Sequence, residues 1–312
     1  MTVKIVTDST ADLSPRVVKE LGITVVPEYV LFGEKTYRDG IDISYDELYE
    51  KLINNPKLPS TSQPTPADFT KVYQELAKET VEIISIHLSG KLSGTYSSAL
   101  QGKKIIDQKC NISVIDSESV TMGLGMLVMS AARLALKNEK PEKIIDEIKE
   151  EMKNIHLFAT FDTLKYLALG GRIGKAQALF GSILNVKPII TLRDGEFLPV
   201  GNFRTRAKAL DKLCELAKNT VNINELAVIY STTPDEAQSL KDRLSPLVES
   251  NHFYISRLGP ALGVHGGPGT LAVVIRNKTD ENDSRIDASN QSAKKMSVPS
   301  IHLPKLKLPS RR

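Results

Sequence analysis

Apolar runs alternate with helically spaced segments along this chain, and their order predicts its elements. Val3–Val6 reads as a buried strand, and Leu13–Leu21 as a helix that stops at Gly22. Ile23–Phe32 is strand-like, Gly33-Glu34 and Asp39-Gly40 mark turns, and Tyr45–Ile53 has the spacing of a short amphipathic helix. Thr65-Pro66-Ala67-Asp68 opens a helix to about Lys78, with a hydroxyl at the cap, proline at the first position and an acid near the positive end. Val81–His87 and Ile112–Ile115 read as strands; Thr95–Ile106, Gly123–Lys137 and Pro141–Asn154 read as helices. Strand–helix alternation of this kind predicts a parallel sheet with helices on its faces.

The pattern changes near His156. His156–Thr160 is strand-like, and Thr163–Leu169 looks helical before Gly170-Gly171. Ile189–Leu192 and Glu196–Val200 flank Asp194-Gly195, the strongest hairpin signal in the chain. Thr205–Asn219 and Pro234–Ser250 read as helices, and Ala227–Tyr230, Phe253–Leu258 and Leu271–Ile275 as strands. The expectation is an α/β protein of two domains. Residues 1–154 form the first, around the parallel sheet flanked by helices, and residues 155–277 form a second α/β domain.

Composition sharpens the C-terminal limit. The 312 residues suffice for two domains, and 41% are hydrophobic. Of the 41 Lys/Arg and 37 Asp/Glu, eight and four lie in residues 278–312, which leaves 33 of each sign in residues 1–277. The net charge of +4 therefore belongs to the last segment, whose prolines and lack of aromatics predict a disordered basic tail. That tail is either an arm for an anionic surface or partner, or an appendage without a role. The neutral body, without a single Trp, argues against nucleic acid as a partner. Cys110 and Cys214 are too isolated for a disulfide framework, and the five histidines lack ligand-like spacing. The N-terminus has no signal-peptide pattern, and the longest apolar stretch, roughly Val120 to Ala132, is too short to span a bilayer. The expected location is the cytoplasm.

The chemistry concentrates in hydroxyl-rich turns after strands: Thr7-Asp8-Ser9-Thr10, Ser60 to Pro66, and Ser89 to Thr95. Hydroxyls beside the unpaired N–H groups of a helix start suit a carboxylate or phosphate. Ser93 is a candidate of this kind; so are Thr61 and Ser62, which precede Gln63-Pro64. Ser93 also admits a plain capping role, and Thr61 and Ser62 that of surface hydroxyls on a proline-stiffened loop. The Gly-x-Ser-x-Gly elbow of serine hydrolases fails at both ends around Ser93, where Lys91 and Thr95 stand. His265, in the glycine-rich turn Gly263 to Gly269, is a candidate cationic or hydrogen-bonding partner for an anion. Gly170-Gly171-Arg172-Ile173-Gly174-Lys175 lacks the Walker spacing, and no GxGxxG is present. Arg172 remains a forked donor on a glycine loop, and Arg204 and Arg206 form a second basic pair; each can hold an anion, dock a partner or stay solvated. Gly123, Gly125, Ala131 and Ala132 leave room on one apolar helix, for a tunnel or for close packing on the sheet.

Thr7-Asp8-Ser9-Thr10, Thr61-Ser62-Gln63-Pro64, Ser89 to Tyr96, Leu169-Gly170-Gly171-Arg172-Ile173 and Gly259-Pro260 through Gly269 occur in the order found in the DegV family. Over about residues 2–277 the chain resembles that family, and with it the fatty-acid-binding subunits of bacterial fatty acid kinase. The resemblance implies a DegV-like two-domain fold and a long-chain fatty acid such as hexadecanoate in a buried tunnel, with no cofactor. It implies that a separate kinase protein phosphorylates the acid with ATP, giving an acyl phosphate for phospholipid synthesis, so that this chain is a carrier and not a complete enzyme. It places the carboxylate on Thr61 and Ser93, with Ser62 and His265 nearby, and kinase docking on Arg172, Arg204 and Arg206. Transient membrane contact fits such a carrier. The rival is a stand-alone hydrolase or phosphotransferase using Ser93 and His265.

Overall fold

A computed structural model describes residues 3–54, 58–106, 110–179 and 186–278. The tail expected at 278–312 lies outside the described residues except for Lys278. In chain order the first elements are β1 (Lys4–Asp8), α1 (Pro15–Leu21), β2 (Ile23–Val26), β3 (Tyr29–Phe32), β4 (Lys35–Arg38), α2 (Tyr45–Asn54) and β5 (Ser60–Ser62). Then come α3 (Pro66–Leu76), β6 (Glu82–His87), α4 (Thr95–Lys103), β7 (Asn111–Asp116), α5 (Met122–Leu136) and α6 (Pro141–Lys153). The second half adds β8 (Ile155–Thr160), α7 (Lys165–Leu169), β9 (Lys187–Arg193), β10 (Glu196–Phe203), α8 (Arg206–Lys218) and β11 (Ile223–Tyr230). It closes with α9 (Pro234–Leu244), β12 (Phe253–Arg257), α10 (Pro260–Gly266) and β13 (Leu271–Asn277).

The fold is α/β, with the expected parallel sheet flanked by helices and a second sheet domain. The parallel sheet has the order β2-β1-β6-β7. The second sheet has the order β10-β9-β8-β13-β11-β12 and is antiparallel except for the β11–β12 pair. Asp194 and Gly195, both at positive φ, make the β9–β10 hairpin turn. A small antiparallel sheet, β4-β3-β5, stands beside these two.

That small sheet differs from the sequence reading. Ile23–Phe32 is two strands, not one: β2 joins the parallel sheet, and β3 joins the small one. Pro27-Glu28 separates them, where proline has no N–H to continue a ladder. The helix expected over Pro234–Ser250 ends at Leu244, because Pro246 cannot continue it. The helix at Thr65 forms as expected, with Thr65 and Asp68 in a reciprocal capping box.

One apolar cluster reaches from Ile5 and Ile84 through α5 to Ile190, Ile229 and Val274. Helix α5 is buried along most of its length, which explains why it reads as apolar all round. Its glycines serve packing and not a tunnel. A Cβ on Gly125 would lie 2.6 Å from the carbonyl oxygen of Ala11, and one on Gly123 would collide with the Ser119 hydroxyl.

Candidate functional site

The segments that follow β1 and β6, the middle of β5, the turn before α4, and residues of β8, β10, α10 and β13 converge on one cavity. It offers about 100 Å³ to the centres of water-sized spheres, several times the ~10–15 Å³ that one water needs. Most of its wall is apolar: Leu88, Leu92, Leu157, Phe161, Phe197 and Leu258 are examples. The polar atoms come from Thr61, Ser93, His265, Arg172 and Glu28, with Thr10, Thr121 and Thr270.

The structure thus brings together four of the seven residues singled out from sequence. Thr61 sits in the middle of β5, a three-residue strand and not the turn expected there. Successive strand residues face opposite sides, so Thr61 lines the cavity while Ser62 is exposed and lies outside the wall. Arg204 is exposed, and Arg206 is tied to Glu236 by a forked ion pair of 2.7 Å. Neither lines the cavity.

His265 is not on a loop. Gly259 and Pro260 start α10, and His265 occupies its last turn before Gly267, whose φ of +75° ends the helix. Its Nε2 lies 2.7 Å from Thr61 Oγ1, and its Nδ1 is buried without a hydrogen-bond partner among the described residues. Burial, then the nearby Arg172 charge, lowers the imidazole pKa to about 4. The ring is therefore neutral near pH 7, and of the two expected roles it keeps the hydrogen-bonding one. Gly170 makes room for it: a Cβ there would fall 2.2 Å from His265 Nδ1.

Ser93 precedes the cap position of α4, and its Oγ accepts the Thr95 N–H at 3.4 Å. Gly94 holds that position, with no side-chain cap. The Ser93 hydroxyl lies 2.9 Å from Thr95 Oγ1, which in turn lies 2.6 Å from Glu28 Oε1. Ser93 bonds Thr95 while His265 bonds Thr61, so no Ser93–His265 dyad forms. Arg172 folds back over this region. Its Nε donates to the Leu92 carbonyl at 3.1 Å and its Nη1 to the Gly170 carbonyl at 2.6 Å, which ties the glycine loop to the Ser89–Thr95 turn. The β9–β10 turn docks on the same segment, where Ser89 Oγ donates to the Gly195 carbonyl at 2.8 Å.

Beneath the hydroxyls lie four buried acids, Asp8, Asp12, Glu28 and Asp39. Asp8 accepts from Thr10 and the Leu88 N–H and pairs with His87 Nδ1 at 2.9 Å, so it points inward. Ser9 Oγ donates to Asp39 at 2.7 Å, and the Glu28 N–H donates to Ser9 Oγ. Burial raises Asp39 to about 6, and it holds Asp12 and Glu28 well above the usual carboxylate range. Thr121 adopts φ +51°, an uncommon conformation for a β-branched residue, and donates to Asp12 Oδ2 at 2.5 Å. Sequence reasoning missed Glu28 and Thr121. Glu28 carried one readable signal, its place after a proline inside an apolar run.

The DegV family model, described as an uncharacterised protein family, matches residues 2–278. The chain belongs to the DegV family. A DegV domain-containing protein of Caldanaerobacter subterraneus subsp. tengcongensis is 37% identical over 279 residues, 88% of this chain and 99% of that protein. Protein DegV of Bacillus subtilis is 36% identical over 280 residues, 88% of this chain and 98% of the relative. Among solved structures, a fatty-acid-binding DegV family protein of Thermus thermophilus superposes with a TM-score of 0.83 at 32% identity, over 89% of this chain and all of that one. Bacillus subtilis DegV, a fatty acid binding protein, gives 0.80 at 36%, over 89% of this chain and 100% of its own. A stearic acid-binding protein of Eubacterium ventriosum gives 0.80 at 30%, over 88% and 98%. The DegV fold thus spans all the described elements, and no helix among the described residues is long and apolar enough to cross a membrane.

Proposed function

We propose that this DegV protein binds one long-chain fatty acid, with its alkyl chain in the apolar cavity and its carboxylate at the Thr61–Ser93–His265 end. One observation carries the reading: an apolar wall meets a cluster of hydroxyls and a neutral imidazole at one end of a single cavity. Burying the alkyl chain gains about 0.8 kcal/mol per CH2, so retention needs neither metal nor covalent bond. The carboxylate must replace its lost water with hydrogen bonds. With Nε2–H of His265 donating to Thr61, the Thr61 proton is free to serve the ligand. Fatty acid binding by the similar Thermus, Bacillus and Eubacterium proteins supports the assignment.

The second half of the proposal is presentation: a separate ATP-dependent kinase phosphorylates the bound carboxylate, and this chain is a carrier in phospholipid metabolism in the cytoplasm. Its support is the resemblance, together with a sequence that carries neither phosphate-binding loop. Kinase docking is assigned to Arg172, Arg204 and Arg206, of which Arg204 is exposed. Mass spectrometry of organic extracts tests the first half; fatty acid at one per chain is the expected result, and none, with no uptake in a titration, refutes it. The purified chain with ATP, Mg²⁺ and fatty acid tests the second. It should be inert alone and support acyl phosphate formation once a cognate kinase is added. ATP consumption by the chain alone, abolished by Ser93→Ala, would install the stand-alone enzyme instead.

A further inference from the structure

The hydroxyls at the polar end of the cavity help an anion only if their protons point into it. Each hydroxyl has one proton. Ser93 Oγ, Thr95 Oγ1 and Glu28 Oε1 form a relay with links of 2.9 Å and 2.6 Å. If Glu28 is a carboxylate, Thr95 must donate to it, Ser93 must donate to Thr95, and Ser93 turns lone pairs toward the cavity. Lone pairs repel a carboxylate. If Glu28 carries a proton on Oε1, both links reverse: Glu28 donates to Thr95, Thr95 donates to Ser93, and the Ser93 proton is free for the cavity. The direction of the relay is set at its inner end.

The surroundings of Glu28 favour the acid form. It is only 4% exposed. Asp8 on β1 and Asp39 after β4 are carboxyl groups that face it. Arg172 is the opposing cation, but two of its donors serve the Leu92 and Gly170 carbonyls. His265, in the same wall, is neutral near pH 7. Burial first, then Asp8, holds Glu28 well above the usual carboxylate range, against the Thr95 hydrogen bond and Arg172.

We propose that Glu28 is a positioning residue for the ligand head group: as a neutral acid it orients the Glu28–Thr95–Ser93 relay so that the Ser93 hydroxyl donates to a bound carboxylate. The inference rests on the fatty acid reading above. No proton leaves the site. The ligand enters as an anion, Glu28 keeps its proton, and the two hydroxyl protons reorient. Ionising Glu28 reverses the relay and sets a second negative charge beside the first. Affinity therefore falls as pH rises above the pKa of Glu28 in the free protein, by up to about tenfold per pH unit for one linked proton.

Hexadecanoate binding is measured from about pH 6.5 to about pH 9.5 for the wild type, Thr95→Val, Glu28→Ala and Glu28→Gln, with a melting curve for each. The wild type should lose affinity toward alkaline pH. Thr95 is fully buried and not part of the cavity wall, so Thr95→Val cuts the relay without touching the ligand. Ser93 then has no Thr95 oxygen to donate to at any pH, so binding near neutral pH should stay within a few-fold of wild type and the alkaline fall should be blunted. Glu28→Gln, whose amide donates to Thr95 at any pH, should keep the affinity that the wild type has near neutral pH and, like Glu28→Ala, show a flat pH profile. An alkaline fall in a folded Thr95→Val protein equal to that of the wild type overturns the relay, and so does an equal fall in Glu28→Gln. Should Thr95→Val fail to fold, the Glu28→Gln profile decides. A folded wild type that binds no hexadecanoate at any pH refutes the fatty acid reading itself, and this inference with it.

Discussion

Glu225 and Glu28 are both buried carboxyl groups, yet the protein surrounds them with different chemistry. Glu225 on β11 accepts from Arg276 on β13 at 2.9 Å, from Arg133 on α5 at 3.0 Å and from Tyr254 on β12 at 2.9 Å. Burial alone would raise its pKa, but Arg276, Arg133 and Tyr254 together hold it below the usual range. Arg276 also meets Glu151 on α6. Glu28 receives a hydroxyl and one distant, shared arginine. The first cluster neutralises its charge with fixed cations and ties α5, α6 and three strands together. The second leaves its acids to protons and hydroxyls, so that a charge arriving with a ligand finds donors and not a competing ion pair. Arginines hold Glu225 as a carboxylate, whereas Glu28 is left to a hydroxyl and a proton, and that separates a structural acid from a binding one.

The sharpest way to break this comparison is to remove the cation. Arg276→Met should leave Glu151 without a cation and Glu225 with Arg133 and Tyr254 alone, and cost about 3–5 kcal/mol in denaturant unfolding. A change near zero would make the arginine cluster no more structural than the hydroxyl one. Thr61→Ala and Ser93→Ala should do the reverse, each weakening fatty acid binding by about 1–3 kcal/mol while melting stays close to wild type. Unchanged affinity in the double variant would reduce both hydroxyls to local structure.

Gly170→Ala probes the imidazole without altering it. The backbone there is helical, so the new methyl group acts by displacing the His265 ring. The variant should lose about as much affinity as His265→Ala, with roughly 1–3 kcal/mol of overpacking in stability. Full affinity would mean that the ring position is unimportant to the head group.

Smaller effects test the acids by pH. Asp39 titrates at about 6 in the folded protein against an ordinary 3.8, so the folded state holds its proton longer. Stability from this group is present at low pH and is lost as pH rises from the ordinary value through about 6. Asp39→Asn should flatten the melting temperature over that window, and an unaltered slope would assign the effect elsewhere. The smallest expected change is none. Removing residues 279–312 should leave melting temperature and fatty acid affinity unaltered, since that segment has the composition of an unpacked tail. A drop of several degrees would contradict it.

The alternation that makes the parallel sheet, the Asp194-Gly195 hairpin and the helix start at Thr65 are legible along the chain. These depend on residues close together in the chain. The sequence also marked Thr61, Ser93, His265 and Arg172, because hydroxyls and glycines at strand ends are local signals. Which of them share a wall depends on how elements far apart in the chain pack together. Thr61 and Ser62 are adjacent in sequence, and a strand's two-residue period sends them to opposite sides. Thr61 and His265 are 204 residues apart and meet at 2.7 Å because β5 and α10 both pack at the cavity. Glu28 was the least legible. A glutamate between two strands reads as surface, and its meaning comes from burial beside Asp8, Asp39 and Thr95, which no spacing along the chain encodes. Local propensity is written in neighbours, but the charge state of a buried acid is set by whatever the fold places around it.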